Sequence, residues 1–233
     1  MSINIKQKLV PAAKYGIKCP NSMNAEYITV HNTANDASAA NEIKYMTNNN
    51  NSVSFHIAVD DIEAIQGIPF NRNAWHCTDG NGPGNRKSIG IEICYSKSGG
   101  ERYYKAEQNA IKLIAQLLKE RGWGTDRVKQ HADWYNKNCP HRIRDEGRWG
   151  AFITAIQNEM NPPKAIYFAT GGFASGSLLN IHDFLMKNNW WFEPSRMENG
   201  TIQFLIGGFE VGSESAVRME KFLKDHNYWY QIQ

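Results

Sequence analysis

The sequence predicts an α/β protein with a mixed central sheet flanked by helices, followed by a small α+β module of βαββαβ order. Strand-like and helix-like segments alternate through the first 160 residues, which is typical of a sheet covered by helices. Residues 88–96, SIGIEICYS, are almost continuously apolar, as expected for a strand that is buried on both faces. After residue 164, a strand–helix–strand pattern occurs twice.

The periodicity of apolar residues predicts the elements of the first part in turn. Alternation in YITVHNT predicts a strand at 27–33 with His31 near its end. Apolar residues at helical spacing predict a helix at 106–122, and Gly122 suits its C-terminal cap. The remaining predicted elements are a helix at 36–46 capped by Asp36, two strands joined by a turn at 54–61 and 63–69, a strand at 88–96, a strand at 128–131 and a helix at 147–160.

Residues 161–164, NPPK, are predicted to link a domain at 1–160 to a module at 165–233, because two prolines stop the preceding helix. In the module, IYFATGGF (166–173) resembles IQFLIGGF (202–209), and a similar aromatic segment follows later in each repeat. Each repeat is predicted to form a strand, a GGF turn, a helix and an aromatic strand. Both helices are expected on one face of the sheet.

The module contains Trp190, Trp191 and Trp229 in its aromatic segments. One interpretation is that these side chains pack in the core of a small domain. The functional alternative is that they are partly exposed and stack on sugar rings.

The charge of the chain gives little support to a nucleic-acid partner, because the formal net charge of +3 is small. Residues 1–160 carry 20 basic and 16 acidic side chains, hence +4, and residues 161–233 carry 6 and 7, hence −1. No apolar run approaches the roughly 20 residues that cross a bilayer. We therefore expect neither nucleic-acid binding nor membrane insertion.

The stretch HADWYNKNCPHR (131–142) concentrates side chains that can carry chemistry. His131 and Cys139, together with His31, are suitable zinc ligands, and three protein ligands with one open position are typical of catalytic zinc. A second interpretation is a cysteine nucleophile, with Cys139 activated by His131 or His141 and assisted by Lys137. A third is an ordinary polar loop around a buried cysteine.

Glu92 interrupts the apolar strand IGIEICY, where a carboxylate is costly to bury without a partner. It is either a structural residue paired with a cation or a carboxylate held near a metal. The second arrangement is what a general base for a metal-activated water requires.

Five segments occur in an order that resembles a known family: ITVHNT, SFHIAVDD, NAWHC, SIGIEICYS and QHADW followed by KNCPH. The family is the zinc-dependent N-acetylmuramoyl-L-alanine amidases of type 2, which include peptidoglycan recognition proteins. The resemblance covers roughly residues 20–150 and is greatest to endolysins of Bacillus phages and prophages. The C-terminal repeat is similar, more weakly, to the wall-binding module of such enzymes.

The resemblance implies a role for individual residues. It implies Zn²⁺ as the cofactor, with His31, His131 and Cys139 as metal ligands, Glu92 as general base and Lys137 as the stabiliser of the oxyanion. The substrate-groove candidates that it implies are His56, Trp75 and His76. Phe55 stands where some members carry tyrosine, so no chemistry is assigned to it. Trp190, Trp191 and Trp229 become candidates for wall binding.

The resemblance also implies the reaction, which is hydrolysis of the amide between N-acetylmuramic acid and L-alanine, with lysis of the cell wall. Peptidoglycan and its associated wall polymer are then the partners. The N-terminus lacks the apolar region of a signal peptide. We therefore expect synthesis in the host cytoplasm and action on the wall after release, for which the resemblance implies a phage holin. Two alternatives stay open: a non-catalytic peptidoglycan receptor and a cysteine peptidase that uses Cys139.

Overall fold

The computed structural model describes residues 3–162 and 165–233. The chain divides into two compact units, Met1–Asn161 and Pro162–Gln233. The predicted linker at 161–164 includes residues 163 and 164, which lie outside the described residues. The catalytic and wall-binding roles assigned to the two parts stay predictions.

The first unit contains a six-stranded mixed sheet, as the sequence predicts, with the strand order β1-β4-β3-β5-β2-β6. Strands β2, β3, β5 and β6 run parallel to one another, β4 is antiparallel to β3, and β1 is parallel to β4. The strands are β1 (Ile5–Gln7), β2 (Tyr27–Asn32), β3 (Ile57–Val59), β4 (Ala64–Gln66), β5 (Ser88–Ile93) and β6 (Val128–Gln130). The helices are α1 (Tyr15–Lys18), α2 (Ala39–Asn48), α3 (Pro83–Lys87), α4 (Gly100–Arg121), α5 (His141–Asp145) and α6 (Trp149–Met160).

The register of the parallel strands determines which residues share an edge. His31 pairs with Glu92 across β2 and β5. β6 lies on the other side of β2, where Gln130 pairs with Val30, and His131 follows directly. The carboxyl ends of parallel strands meet at one edge of a sheet, so these three side chains are brought to the same place.

Two helix starts differ from the sequence prediction. α2 begins at Ala39 rather than at residue 36, because the hydroxyl of Ser38 accepts the backbone N–H of Asn41 at 3.3 Å. Asp36 accepts hydrogen bonds from the backbone and hydroxyl of Ser98 instead.

α4 begins six residues earlier than predicted, and the fully buried Tyr103 extends its apolar stripe towards the N-terminus. Gly122 ends α4 in the left-handed conformation, as predicted.

The second unit has the predicted βαββαβ order, with a four-stranded antiparallel sheet ordered β10-β7-β9-β8. Its elements are β7 (Ala165–Thr170), α7 (Ser175–Asn188), β8 (Phe192–Arg196), β9 (Ile202–Glu210), α8 (Glu214–Asp225) and β10 (Tyr230–Ile232). The rings of Phe184 and Phe222 stack at 3.8 Å, so α7 and α8 lie side by side on one face of the sheet.

The prediction of a GGF turn holds for the first repeat and is wrong for the second. β7 ends before Gly171, whereas β9 continues through Gly207 and Gly208 to Glu210. The register of β9 against β7 shifts between Ile166 and Tyr167, which accommodates the two glycines as a bulge rather than a turn.

Across the described ranges, no helix is both long enough and apolar enough to cross a membrane.

Candidate active site

Three donor side chains from distant parts of the chain meet at the carboxyl edge of the parallel strands. His31 lies near the end of β2, His131 begins the short 3-10 helix His131–Asp133 after β6, and Cys139 lies in the loop that follows. Nδ1 of His31 lies 3.1 Å from Nδ1 of His131 and 3.7 Å from Sγ of Cys139. All three side chains are buried. The structure therefore brings together the three residues that the sequence suggests as metal ligands.

The spacing of these donors fits a tetrahedral zinc ion. Zinc–nitrogen bonds of about 2.0–2.1 Å and a zinc–sulfur bond of about 2.3 Å put tetrahedral ligands roughly 3.3–3.6 Å apart. The observed separations of 3.1 and 3.7 Å lie on either side of this range. All three donor atoms lie within 4.8 Å of one another. Two imidazoles and one thiol also leave a fourth coordination position for water or substrate.

Burial keeps the donors uncharged. Burial lowers the pKa of His131 to about 4 and holds the pKa of His31 well below its usual value. Both imidazoles are therefore neutral at pH 7, which is the form that binds a metal. Burial, together with the charge of Glu92, raises the pKa of the Cys139 thiol to about 12. A divalent cation is what would favour its thiolate.

Each imidazole has a second partner that fixes its orientation. Nε2 of His31 lies 2.9 Å from Nδ1 of His76, and Nε2 of His131 lies 3.4 Å from Oγ1 of Thr78. Thr78 has a φ of +62°, a conformation that costs a β-branched residue about 1–3 kcal/mol. Such partners orient metal-binding histidines and increase their basicity.

His31, His76 and Cys77 form a second group of possible metal donors. Sγ of Cys77 lies 3.1 Å from the same His76 nitrogen that faces His31. Nε2 of His31 and Nδ1 of His76 are 2.9 Å apart, which is the distance of a hydrogen bond. A metal ion in this second group would bind Nε2 of His31, whereas Nδ1 of the same ring faces His131 and Cys139. We interpret His76 as the hydrogen-bond acceptor for Nε2–H of His31.

Glu92 has the features of a functional carboxyl group. Its Oε2 is buried and has no hydrogen-bond partner among the described residues. Burial and then the nearby charge of Glu42 raise the pKa of Glu92 to about 8, while Lys137 acts in the opposite direction. A buried carboxyl group without a partner is costly, and such groups are concentrated at functional sites.

A pocket of about 260 Å³ opens beside these groups, and Glu92, Lys137 and Cys139 all line it. A substrate in the pocket would therefore contact a carboxyl group, an ammonium group and the edge of the candidate metal site. The rest of the lining is Asn32, Thr33, Ala34, Glu42, Tyr45, Met46, Asn49, Asn51, Val53, Phe55, Asn138 and His141.

The loop that carries Lys137 is held by its own hydrogen bonds. The backbone N–H of Cys139 donates to the carbonyl of Lys137 at 2.8 Å, and that of Ala132 donates to the carbonyl of Cys139 at 3.1 Å. Nε of Arg144 donates to Oδ1 of Asn138 at 2.9 Å. The loop is thus tied to both the preceding 3-10 helix and the following α5.

Sequence reasoning missed Arg142 and Asn32, which hold the region together. The backbone N–H of Arg142 donates to Oδ1 of Asn32 at 3.0 Å, and its Nε donates to the carbonyl of Ser96 at 2.9 Å. Arg142 therefore ties the segment after Cys139 to the ends of β2 and β5. The only signal in the sequence was position, since Asn32 follows His31 and Arg142 lies three residues after Cys139.

The predicted groove residues His56, Trp75 and His76 do not line this pocket. His56 is fully buried, where its Nδ1 accepts the backbone N–H of Gly90 and its Nε2 contacts the carbonyl of Arg72, each at 3.0 Å. His76 contacts Nε2 of His31, whereas Nδ1 of His31 faces His131. Because both ring nitrogens of His56 are bonded to the backbone, we assign it a structural role.

The three tryptophans of the second unit have different surroundings. Trp190 packs against Phe184 and Phe209, with ring centroids 5.5 and 5.1 Å apart. Trp191 and Trp229 are 52% and 65% exposed. Trp190 therefore belongs to the core, and the other two are available for contacts.

A mixed sheet with a buried His–His–Cys group, an open coordination position and an unpaired carboxyl group has the features of a metal-dependent hydrolase. The family model described as N-acetylmuramoyl-L-alanine amidase matches residues 21–142. This match covers just over half of the chain, which therefore belongs to the N-acetylmuramoyl-L-alanine amidase family.

Individual relatives agree with this assignment. The N-acetylmuramoyl-L-alanine amidase XlyB of Bacillus subtilis (strain 168) is 68% identical over 162 residues, which are 69% of this chain and 51% of XlyB. The amidase CwlA of the same strain is 68% identical over 161 residues, which are 69% of this chain and 59% of CwlA. The chain thus spans only half to three fifths of the length of these relatives.

Solved structures match the first part of the fold over almost their whole length. The structure of PlyL is similar with a TM-score of 0.65 and 60% identity, covering 66% of this chain and 97% of PlyL. The PlyG catalytic domain is similar with a TM-score of 0.66 and 59% identity, covering 68% of this chain and 96% of that domain.

Proposed function

We propose that this chain is a zinc-dependent N-acetylmuramoyl-L-alanine amidase that hydrolyses the amide bond between N-acetylmuramic acid and L-alanine, and so lyses bacterial cell walls as an endolysin does. The observation that carries this proposal is the shared pocket. Glu92, whose Oε2 has no hydrogen-bond partner among the described residues, and Lys137 line it together with Cys139 of the candidate metal site. Membership of the amidase family supports the same reaction.

His31, His131 and Cys139 would hold the zinc ion. When bound, zinc would act as a Lewis acid that polarises a carbonyl and lowers the pKa of water to about 7. The chain supplies the rest of the chemistry. His76 and Thr78 keep the two imidazoles oriented, and burial keeps them neutral and able to bind.

Glu92 acts as the general base and then as the general acid. Its carboxylate accepts the proton of the attacking water, and the protonated group then donates that proton to the leaving amine of L-alanine. A carboxyl group whose pKa is raised by burial suits this double role, because it holds a proton more readily than an exposed one. Two positive charges nearby, the cation and Lys137, would favour the initial carboxylate.

Lys137 stabilises the negative charge that develops on the carbonyl oxygen. Lys137 and Cys139 line the same pocket, and the loop that carries Lys137 is fixed at both ends. Removing one donor of this kind typically costs about 3 kcal/mol of transition-state stabilisation.

A cysteine peptidase is a weaker alternative. The thiol of Cys139 is only 4% exposed, and burial raises its pKa, which is the reverse of what a nucleophilic cysteine needs. Nε2 of His141, a suggested base, contacts the carbonyl of Ser96 at 3.3 Å. A non-catalytic receptor would need none of Glu92, Lys137 and Cys139 in one pocket.

The decisive experiment measures the metal content of the purified protein and the release of amino-terminal alanine from purified walls. We expect about one zinc per chain and alanine release that stops on chelation and returns when zinc is added. Iodoacetamide should spare the metal-loaded enzyme. Inactivation by iodoacetamide with full activity in chelator would support the peptidase instead, and absence of hydrolysis by zinc-loaded protein would support the receptor.

We further propose that the second unit binds the cell wall and keeps the first unit near its substrate, which raises the local substrate concentration. The exposed side chains of Trp191 and Trp229 support this role. Co-sedimentation of the full chain with purified walls tests this proposal. Protein that stays in the supernatant would contradict wall binding.

A further inference from the structure

The sheet of the second unit has one covered face and one open face. Phe168 of β7 packs in the core beneath α7 and α8, so its neighbour Tyr167 lies on the opposite face, because successive side chains of a strand alternate. The ring of Trp191 lies 6.0 Å from that of Tyr167. Trp229 precedes Tyr230, whose ring packs against Phe168, so Trp229 also belongs to the open side.

Apart from Glu193, the centre of the open face carries uncharged residues, and one of them is a glycine. A Cβ on Gly207 would lie 2.8 Å from Cα and Cδ1 of Tyr167, so this glycine lets the tyrosine ring rest against β9. Between the aromatic ends, one row of paired residues crosses all four strands. This row is Gln231, Ala169, Leu205 and Glu193.

The two exposed tryptophans are far enough apart to contact an extended molecule. They stand at opposite edges of the sheet, three strand spacings apart and about four residues apart along the strands. At about 4.8 Å per strand and 3.3 Å per residue, the separation is roughly 20 Å. A single sugar cannot bridge this distance, whereas a chain of several pyranose rings can.

The charge of this face selects among wall polymers. Glu193 is the only charged side chain in the central row, and residues 161–233 carry 6 basic against 7 acidic groups. A wall polyphosphate, with a charge on every repeating unit, would find no cation in that row to pair with. Gln231 and Gln203 offer amide donors and acceptors, which suit hydroxyl and acetamido groups.

We propose that this surface, the open-face platform formed by Tyr167, Trp191, Trp229 and the central row, binds the glycan strand of peptidoglycan. The ligand class is a polymer of N-acetylated amino sugars, which after removal of the peptide carries one lactyl carboxylate per disaccharide and is less densely charged than a wall polyphosphate. Indole rings stack on the apolar faces of its sugars, and the glutamine amides bind its polar edges. The proposal rests on the proposed function only in taking the cell wall as the target.

The test is a binding titration of the full chain with glycan strands stripped of peptide and of attached wall polymer, followed by isothermal titration calorimetry. Such strands contain no bond that the amidase cleaves, so binding is measured apart from hydrolysis. The double variant W191A/W229A is compared with the native chain. L179A is the matched control, because Leu179 is an equally exposed apolar residue on α7, away from the sheet.

We expect the native chain and L179A to bind alike, and W191A/W229A to bind at least about tenfold more weakly. Gln231→Glu, which keeps both rings but adds a charge to the central row, should also weaken binding, and circular dichroism checks the fold of each variant. Equal binding by native chain and double variant would overturn the proposal, as would binding only to the detached wall polymer or to polyglycerol phosphate. Alanine release by the same preparations reports separately on the amidase, so failure of either proposal is recognised independently.

Discussion

At the scale of single residues, the candidate site is defined by groups whose surroundings or backbone conformation cost stability. Oε2 of the half-buried Glu92 has no hydrogen-bond partner among the described residues, and Thr78 adopts a backbone conformation that is unfavourable for threonine. Each costs stability, and each lies next to a candidate metal ligand. Such costs persist where a site requires them.

Glu92→Gln tests the proton-transfer role. The amide keeps the size of the side chain but cannot accept a proton, so alanine release should fall about 10²–10⁴-fold while zinc content stays the same. Elemental analysis and wall hydrolysis measure the two quantities. Hydrolysis near the native rate would reject Glu92 as the base, whereas loss of zinc would indicate a structural role.

Thr78→Val tests the orientation of His131. Valine keeps the shape but removes the oxygen that lies 3.4 Å from Nε2, so zinc affinity should fall about 10–100-fold. Competition with a chromogenic chelator measures the affinity. Thr78→Ser, which retains the hydroxyl group, should bind zinc almost as tightly as the native chain. Equal affinity in the valine variant would show that the contact does not matter.

At the scale of elements, two features position the site. The first is the packing of His76 against β5, and the second is the set of hydrogen bonds from Lys18 to the loop after α2. In β5, Gly90 leaves room for His76, whose ring nitrogen would lie 2.7 Å from an added Cβ. Below the pocket, the buried Lys18 donates to Oδ1 of Asn49 at 2.8 Å and to the carbonyl of Val53 at 3.0 Å.

Gly90→Ala should displace His76 and, through it, the ring of His31. The buried overlap predicts a loss of stability of roughly 1–3 kcal/mol together with weaker zinc binding. Thermal unfolding with and without zinc measures both effects. Gly150→Ala is the control, because a Cβ there meets nothing within 4 Å. Unchanged zinc binding in the Gly90 variant would disprove the link between β5 and the metal site.

Lys18→Met should loosen the wall of the pocket that Asn49 and Val53 form. The variant leaves Oδ1 of Asn49 and the carbonyl of Val53 without this donor, so we expect a higher KM with a smaller change in kcat, in addition to lower stability. Kinetics on a soluble muropeptide separate the two constants. Lys112→Met, at an exposed position of α4, should behave as the native chain. A fall in kcat alone would place the effect of Lys18 on the catalytic groups instead.

At the scale of the whole molecule, each unit has its own hydrophobic core. The core of the first unit includes Ile91 and Leu117, and that of the second includes Phe168 and Leu223. The residues of the candidate metal site all lie in the first unit, whereas the open-face platform lies in the second. The proposed chemistry and the proposed attachment are therefore assigned to different units.

A fragment of residues 1–161 should fold and hydrolyse a soluble muropeptide at a rate close to that of the full chain. Its activity on intact walls should be lower, because the proposed attachment is lost. Parallel assays on the two substrates measure the ratio. Equal loss on both substrates would show that the second unit supports the fold of the first.

The sequence by itself determined the mixed sheet, the βαββαβ order of the second unit and the identity of the candidate ligands, because apolar periodicity and short motifs are local properties. It also singled out Glu92, since a charged residue in an apolar strand is visible without a structure. It placed the start of α2 and the second GGF segment wrongly, because the Ser38 cap and the bulge against Tyr167 depend on competing local contacts and on strand pairing.

Only the tertiary structure decided how far apart these groups lie and which way they face. The 3.1 and 3.7 Å separations among His31, His131 and Cys139 depend on the register of β2, β5 and β6, which brings residues about 100 positions apart to one edge. The structure likewise separated Trp190 in the core from the exposed Trp191 and Trp229. Burial and distance are set by packing between distant segments, and no local pattern in the chain encodes them.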